Sequence, residues 1–217
     1  MAASAVPARG PATIRVVSYN VRSLRDGRHA PPRVIRACEP DLVCVQEAPR
    51  FLRWRARCAA LAGESGLVVV TGGRAAAGVL LLASLRARVL HAEDVLLPST
   101  PGLHRRGVAL ACVEVDGVRL AVGSVHLGLR RDERLRHVPL LLALLDRVAE
   151  RYGAAYRLLA GDVNEPAGRR TWRALGDTLV DGHAQAPWGG GDTFPSHAPV
   201  RRIDGVLAGP GLDVLRC

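Results

Sequence analysis

A chain of 217 residues that is 48% hydrophobic is long enough to bury one large core, and α/β or all-β domains of this size commonly stay undivided. The formal net charge is +10 and all 30 basic residues are arginine, so a Walker-type phosphate loop, which needs lysine, is excluded. The arginine surplus fits contact with phosphate-rich partners, whose oxygens match the guanidinium fork, and it equally fits a genome whose base composition favours arginine codons.

In chain order, residues 1–12 are rich in Pro, Ala and Gly and carry no sustained apolar run of the secretory type. They read as a flexible leader before a single domain over 13–217. "TIRVVSYNV" (13–21) predicts a buried, β-branched strand that ends at the polar Asn20. "PPRVIRACEP" (31–40) predicts a short helix bounded by prolines, and "DLVCVQE" (41–47) a second apolar strand ending in Gln46 and Glu47. In "RFLRWRARCAALAGESG" (50–66), Phe51, Leu52, Trp54, Cys58 and Leu61 are spaced as one helical face. Three strands follow over 67–72, 78–84 and 87–97.

Asp116-Gly117 interrupts "GVALACVEVDGVRLAVGSVHL" (107–127), a strong hairpin signal, because that dipeptide supplies the positive φ values of a tight turn. Residues 132–153 place Leu135, Val138, Leu141, Leu142, Leu145, Val148 and Tyr152 at helical intervals, with Pro139 expected to kink the helix or to mark its true start. "YRLLAGDVN" (156–164) reads as a strand, 168–179 as a helix, "GGGD" (189–192) as a loop, and "RRIDGVLAG" (201–209) as a strand; "LDVLRC" (212–217) is expected to begin another.

Strands and helices are intermixed with hairpins, which favours a mixed α/β sandwich over a purely parallel sheet. The five cysteines show no C-x-x-C spacing and sit mostly in apolar surroundings, as buried free thiols of a reducing compartment would. No apolar run approaches bilayer-spanning length. A cytoplasmic monomer without a membrane span is the expectation. There is no G-x-S-x-G stretch, so a serine hydrolase is a poor reading.

Five strands end in, or are interrupted by, polar groups: Asn20; Gln46 and Glu47; His126; Asp162 and Asn164; and Asp204. Each alone reads as an ordinary cap, strand end or structural histidine. Together, "VVSYNV", "LVCVQE", "GSVHL", "GDVN" and "RRID" occur in an order and at spacings that resemble the endonuclease/exonuclease/phosphatase superfamily, which includes deoxyribonuclease I-like nucleases. The resemblance extends over about residues 13–208. It implies a four-layer α/β (α+β) sandwich with two central mixed sheets flanked by helices, a divalent cation, usually Mg²⁺ with Mn²⁺ as the substitute, and hydrolysis of phosphoric esters.

The residue types make chemical sense of that reading. A phosphodiester repels an attacking hydroxide, so a hard cation with oxygen ligands is wanted, and Glu47 with Asn20 is the candidate ligand pair. Asp162 would orient or deprotonate the attacking water, and Asn164 would donate an N–H to the phosphate, their i, i+2 spacing placing both on one face of an extended strand. The resemblance assigns His126 to the scissile phosphate or the leaving group. Arg106 and Arg202 would add charge, although solvated surface is the plainer reading of both.

Members of the superfamily also share a late Ser-Asp-His motif, and the chain shows none after "RRID". By the resemblance, Asp204 orients that histidine and here would lack its partner. A truncated enzyme is the favoured account, with feeble turnover and an exposed sheet edge as consequences. The alternative is a catalytically silent module on the same fold that binds nucleic acid or phospholipid headgroups. With DNA or RNA as the expected partner, the basic balance favours a nuclease-like phosphoesterase.

Overall fold

The structure, a computed structural model, describes residues 11–217; most of the expected leader therefore lies outside the described residues. The strands β1 (Val16–Asn20), β2 (Leu42–Gln46), β3 (Val68–Gly73) and β4 (Val79–Ala83) form one sheet in the order β1-β2-β4-β3. The strands β5 (Ala87–Leu96), β6 (Gly107–Val115), β7 (Val118–His126), β8 (Tyr156–Asp162), β9 (Val180–Asp181) and β10 (Asp204–Ala208) form a second, in the order β5-β6-β7-β8-β10-β9. Both sheets are mixed, with β1–β2 and β7–β8 parallel and the remaining pairs antiparallel.

The helices α1 (Ala30–Ala37) and α2 (Trp54–Glu64) cover the outer face of the first sheet, and α3 (Arg131–Tyr152) and α4 (Arg170–Gly176) that of the second; α5 (Gly182–Gln185) is a single turn. Both faces of the central strands are thus covered, which is why β2, β4 and β6 read as continuous apolar runs instead of alternating ones. The alternation survives in where the side chains go. Along β6, Leu110 and Cys112 pack under the helices, while Ala109, Ala111 and Val113 face the other sheet. Along β2, Leu42 and Cys44 join the layer between the sheets, and Val43 and Val45 pack outward against α1 and α2. The expected layered α/β sandwich is what forms.

Three local expectations are corrected. Phe51 and Leu52 are not on the buried face of α2: they precede it, 70% and 87% exposed, because Arg53 takes a left-handed φ of 57° and the helix begins only at Trp54. Pro139 does not mark the start of α3, which runs as one element from Arg131. The face that α3 buries also includes the polar Glu133, Arg134 and His137. "LDVLRC" forms no strand: the Cys217 N–H goes to the Ala186 carbonyl and the Cys217 carbonyl accepts from Trp188, so this segment is held by a loop and not by a sheet. Among the described residues, the outer edge of β1 pairs with no strand.

Candidate active site at the seam of the two sheets

Topology gathers the polar strand ends. Because β1 and β2 are parallel, Asn20 and Gln46 finish side by side, and because β7 and β8 are parallel, His126 faces Asp162 across the ladder. β10 runs antiparallel to β8, so its first residue, Asp204, pairs with the last residue of β8, Asp162. Asn20 bridges the two sheets: its Nδ2 donates to Glu47 Oε1 at 3.1 Å and reaches Asp162 Oδ2 at 3.5 Å. Its Oδ1 accepts from the Arg22 N–H at 3.0 Å. His126 Nε2 stands 3.4 Å from Asp162 Oδ2. Asn20, Glu47, His126, Asp162 and Asp204 therefore converge, although Asn20 and Asp162 are 142 residues apart in sequence.

The backbone is shaped for this convergence. Gly161 is required where β8 meets β7, since a Cβ there would lie 1.9 Å from the Val125 carbonyl oxygen. Glu47 has φ 50° and Asn164 φ 55°. Left-handed conformations at non-glycine residues cost energy and cluster at working sites, and Glu47 lacks the local tolerance that asparagine has.

Asn164 departs from expectation. β8 ends at Asp162, and the left-handed turn removes Asn164 from the strand face on which its alignment with Asp162 was expected. Its backbone N–H caps Asp162 Oδ1 at 2.8 Å, and its Nδ2 donates to the Leu127 carbonyl at 2.8 Å. One amide hydrogen is thus left over, the other tying the loop after β7 to the loop after β8. The Gln46 side chain stays out of the site, buried and bonded to Ser18 and to the Cys44 carbonyl.

Burial raises the Asp162 carboxyl to about 7, helped by the neighbouring Asp204 and opposed by the Asn164 N–H, Asn20 and Arg106. Burial, with Arg106, Arg50 and His104 nearby, lowers His126 to about 3. The imidazole is therefore neutral near pH 7, and its approach to Asp162 is a polar contact between a neutral ring and a carboxyl group, not an ion pair. Burial also raises Asp204, while the Thr193 hydroxyl works in the other direction.

Two arginines separate here. Arg202 is engaged: it pairs with Asp181, donating to Oδ1 at 3.1 Å, and its guanidinium lies 4.7 Å over the Trp172 ring, in a half-buried structural contact instead of the solvated one expected. Arg106, on the residue before β6, is held among Asp162, Glu133, Glu47 and Arg50, with a buried Nε that has no hydrogen-bond partner. Burial pulls its pKa down against the pull of those carboxylates. Arg50 and His104 join it beside His126. Nothing in the sequence separates Arg106 and Arg50 from the remaining arginines; only the fold does.

Among the described residues, no three His, Cys, Asp or Glu side chains form a ready metal cage. The donor set nevertheless fits a hard cation. Glu47 and Asp162 bring carboxylate oxygens to the same Asn20 amide, and Mg²⁺ typically takes one or two carboxylates and completes its shell with water and substrate phosphate. A cavity elsewhere, about 680 Å³ between Arg15, Arg36, Asp41 and Arg86, has its arginines already spent on Glu39, the Glu64 carbonyl and Asp41.

No curated protein matches the sequence. The fold is shared with mannosyl-6-phosphatase of Bacteroides thetaiotaomicron, at TM-score 0.74 and 15% identity, covering 92% of this chain and 86% of that one. It is shared also with truncated TDP2 of Caenorhabditis elegans, at TM-score 0.67 and 18% identity over 92% and 85% of the two chains. TDP2 of D. rerio, complexed with a single-strand DNA product, matches at TM-score 0.63 and 18% identity over 90% and 83%. At such identities these likenesses speak for the fold alone. The model of the Endonuclease/Exonuclease/phosphatase family matches residues 17–217, and the chain belongs to that family.

Proposed function

We propose that the protein is a divalent-cation-dependent phosphoesterase, using Mg²⁺ or Mn²⁺, whose chemistry occurs where the two sheets meet. The observation that carries this reading is the bridge from Glu47 through Asn20 to Asp162, with His126 at 3.4 Å from the same carboxylate. Glu47 would hold the cation, joined by Asn20 once its amide turns to present Oδ1, which now accepts from the Arg22 N–H, in place of Nδ2; the cation when bound supplies Lewis-acid stabilisation of charge on phosphoryl oxygens. Asp162, raised toward neutrality, is suited to accept a proton from the attacking water. Neutral His126, Arg106 and the remaining Asn164 amide hydrogen supply donors for the phosphoryl oxygens, and Asp204 supports Asp162 from the next strand. Nuclease-like action on DNA or RNA is one case of this chemistry, and the +10 charge favours any polyanionic substrate.

The test is hydrolysis of a soluble generic phosphodiester, bis-p-nitrophenyl phosphate, with and without Mg²⁺ or Mn²⁺. Slow, metal-dependent turnover that falls roughly 10²- to 10⁴-fold in Asp162→Asn, with the melting temperature retained, is expected. Turnover that survives this substitution would place the chemistry elsewhere.

A further inference from the structure

Three loops surround the candidate site, and each carries a large apolar side chain in water beside arginine. The loop after β2 holds Phe51 and Leu52, 70% and 87% exposed, four and five residues after Glu47 and between Arg50 and Arg53. The loop after β7 holds Leu129, 75% exposed, three residues after His126 and followed by Arg130 and Arg131. The hairpin before β10 holds Phe194 and Val200, 44% and 70% exposed, with Arg201 next to Val200. Thr193, adjacent to Phe194, accepts the Asp204 N–H, which fixes this hairpin at the same end of the sheet. Residues 48–53, 127–131 and 193–202 contain no Asp or Glu.

We propose that this end of the molecule docks on an anionic phospholipid surface, the apolar tips entering the headgroup boundary and the arginines pairing with lipid phosphates. It would thus present the site to a phosphoester held at headgroup level. Exposed leucine and phenylalanine among arginines, without intervening acids, make the pattern of an interfacial anchor. A nucleic acid accounts for the arginines but leaves the aliphatic Leu52, Leu129 and Val200 unused, since base stacking needs aromatic faces. The proposal rests on reading these strand ends as the catalytic end, yet its test does not depend on turnover.

The full chain is sedimented with phosphatidylcholine vesicles, with vesicles containing phosphatidylglycerol, and with short duplex DNA as a competitor. Binding to the anionic vesicles alone is expected, weakening as salt rises. The pair Leu52→Ser and Leu129→Ser should weaken it by about tenfold or more, the scale set by one buried leucine. Both side chains are exposed, so melting temperature and turnover of the soluble phosphodiester should be unchanged. Asp162→Asn should bind vesicles normally, which separates failure of docking from failure of catalysis. Absence of vesicle binding, binding indifferent to the double substitution, or preference for DNA over vesicles would overturn the proposal.

Discussion

Arg106 and Asp162 show the two extremes of what a residue announces in sequence. Asp162 stands at the end of an apolar run, after a glycine that the Val125 carbonyl makes obligatory, and a buried strand has little other reason to deliver a carboxylate. Arg106 is one arginine in a chain with 30 basic residues, and its distinction, a buried and unpartnered Nε in the electrostatic field of Asp162 and Glu47, exists only in three dimensions. Asn164 lies between: its presence at the site was legible, its left-handed turn was not, because one tetrapeptide does not reveal where a strand stops. As the proposed phosphate donor, Arg106 should matter to the reaction more than to the fold. Arg106→Gln is expected to lower kcat/KM roughly 10²-fold and to weaken inhibition by inorganic phosphate, with thermal melting little changed. Equal inhibition constants in the two proteins would remove Arg106 from the site.

Elements were readable where periodicity was strong and misread where local backbone chemistry decided. Parallel pairs linked by helices, and the Asp116-Gly117 hairpin, follow from apolar runs and turn residues. The start of α2 and the unpaired course of 212–217 follow from single left-handed or tertiary contacts that no pattern encodes. The polar face of α3 is the clearest omission. Arg134 is buried, donates to Glu165 at 2.8 Å and to the carbonyls of Gly128 and Leu129, and so locks the loop after β7 to that after β8. Glu165 also accepts the Thr171 N–H at 2.6 Å near the start of α4. Burial alone would raise the Glu165 carboxyl, but the Thr171 N–H and hydroxyl together with Arg134 outweigh it and hold the group below its ordinary value.

A carboxylate lowered in the folded state contributes stability above its unfolded pKa, and the contribution disappears as pH falls through the folded value. Glu165→Ala leaves the Arg134 charge buried without its partner and should cost about 3 to 5 kcal/mol near neutrality. Chemical denaturation across pH should show that difference shrinking toward acid. A constant difference would mean that Glu165 acts through packing alone.

At the scale of the whole molecule, the layer between the sheets is built from small side chains, Ala109, Ala111 and Ala160 among them, with leucine and valine filling the remainder. The fold class was legible because strands and helices alternate with hairpins and the polar strand ends resemble a known family; how closely the two sheets approach was not, since it depends on which small residues meet. Enlarging one of them should be felt far beyond its neighbours. Ala111→Leu is expected to cost about 1 to 3 kcal/mol by overpacking, read from the melting temperature. It should also reduce phosphodiester turnover, although Ala111 is no part of the site. Turnover preserved at wild-type level would show that the sheets accommodate the extra volume without parting.

The cause is the amide of Asn20, which reaches from one sheet to the Asp162 carboxylate of the other at the site itself. The groups proposed to react are mounted on opposite jaws, so their alignment reports the width of the gap between them. Heat, pressure or a distant core substitution that changes this width would act on the proposed catalysis as a vernier, detuning the chemistry well before the protein unfolds.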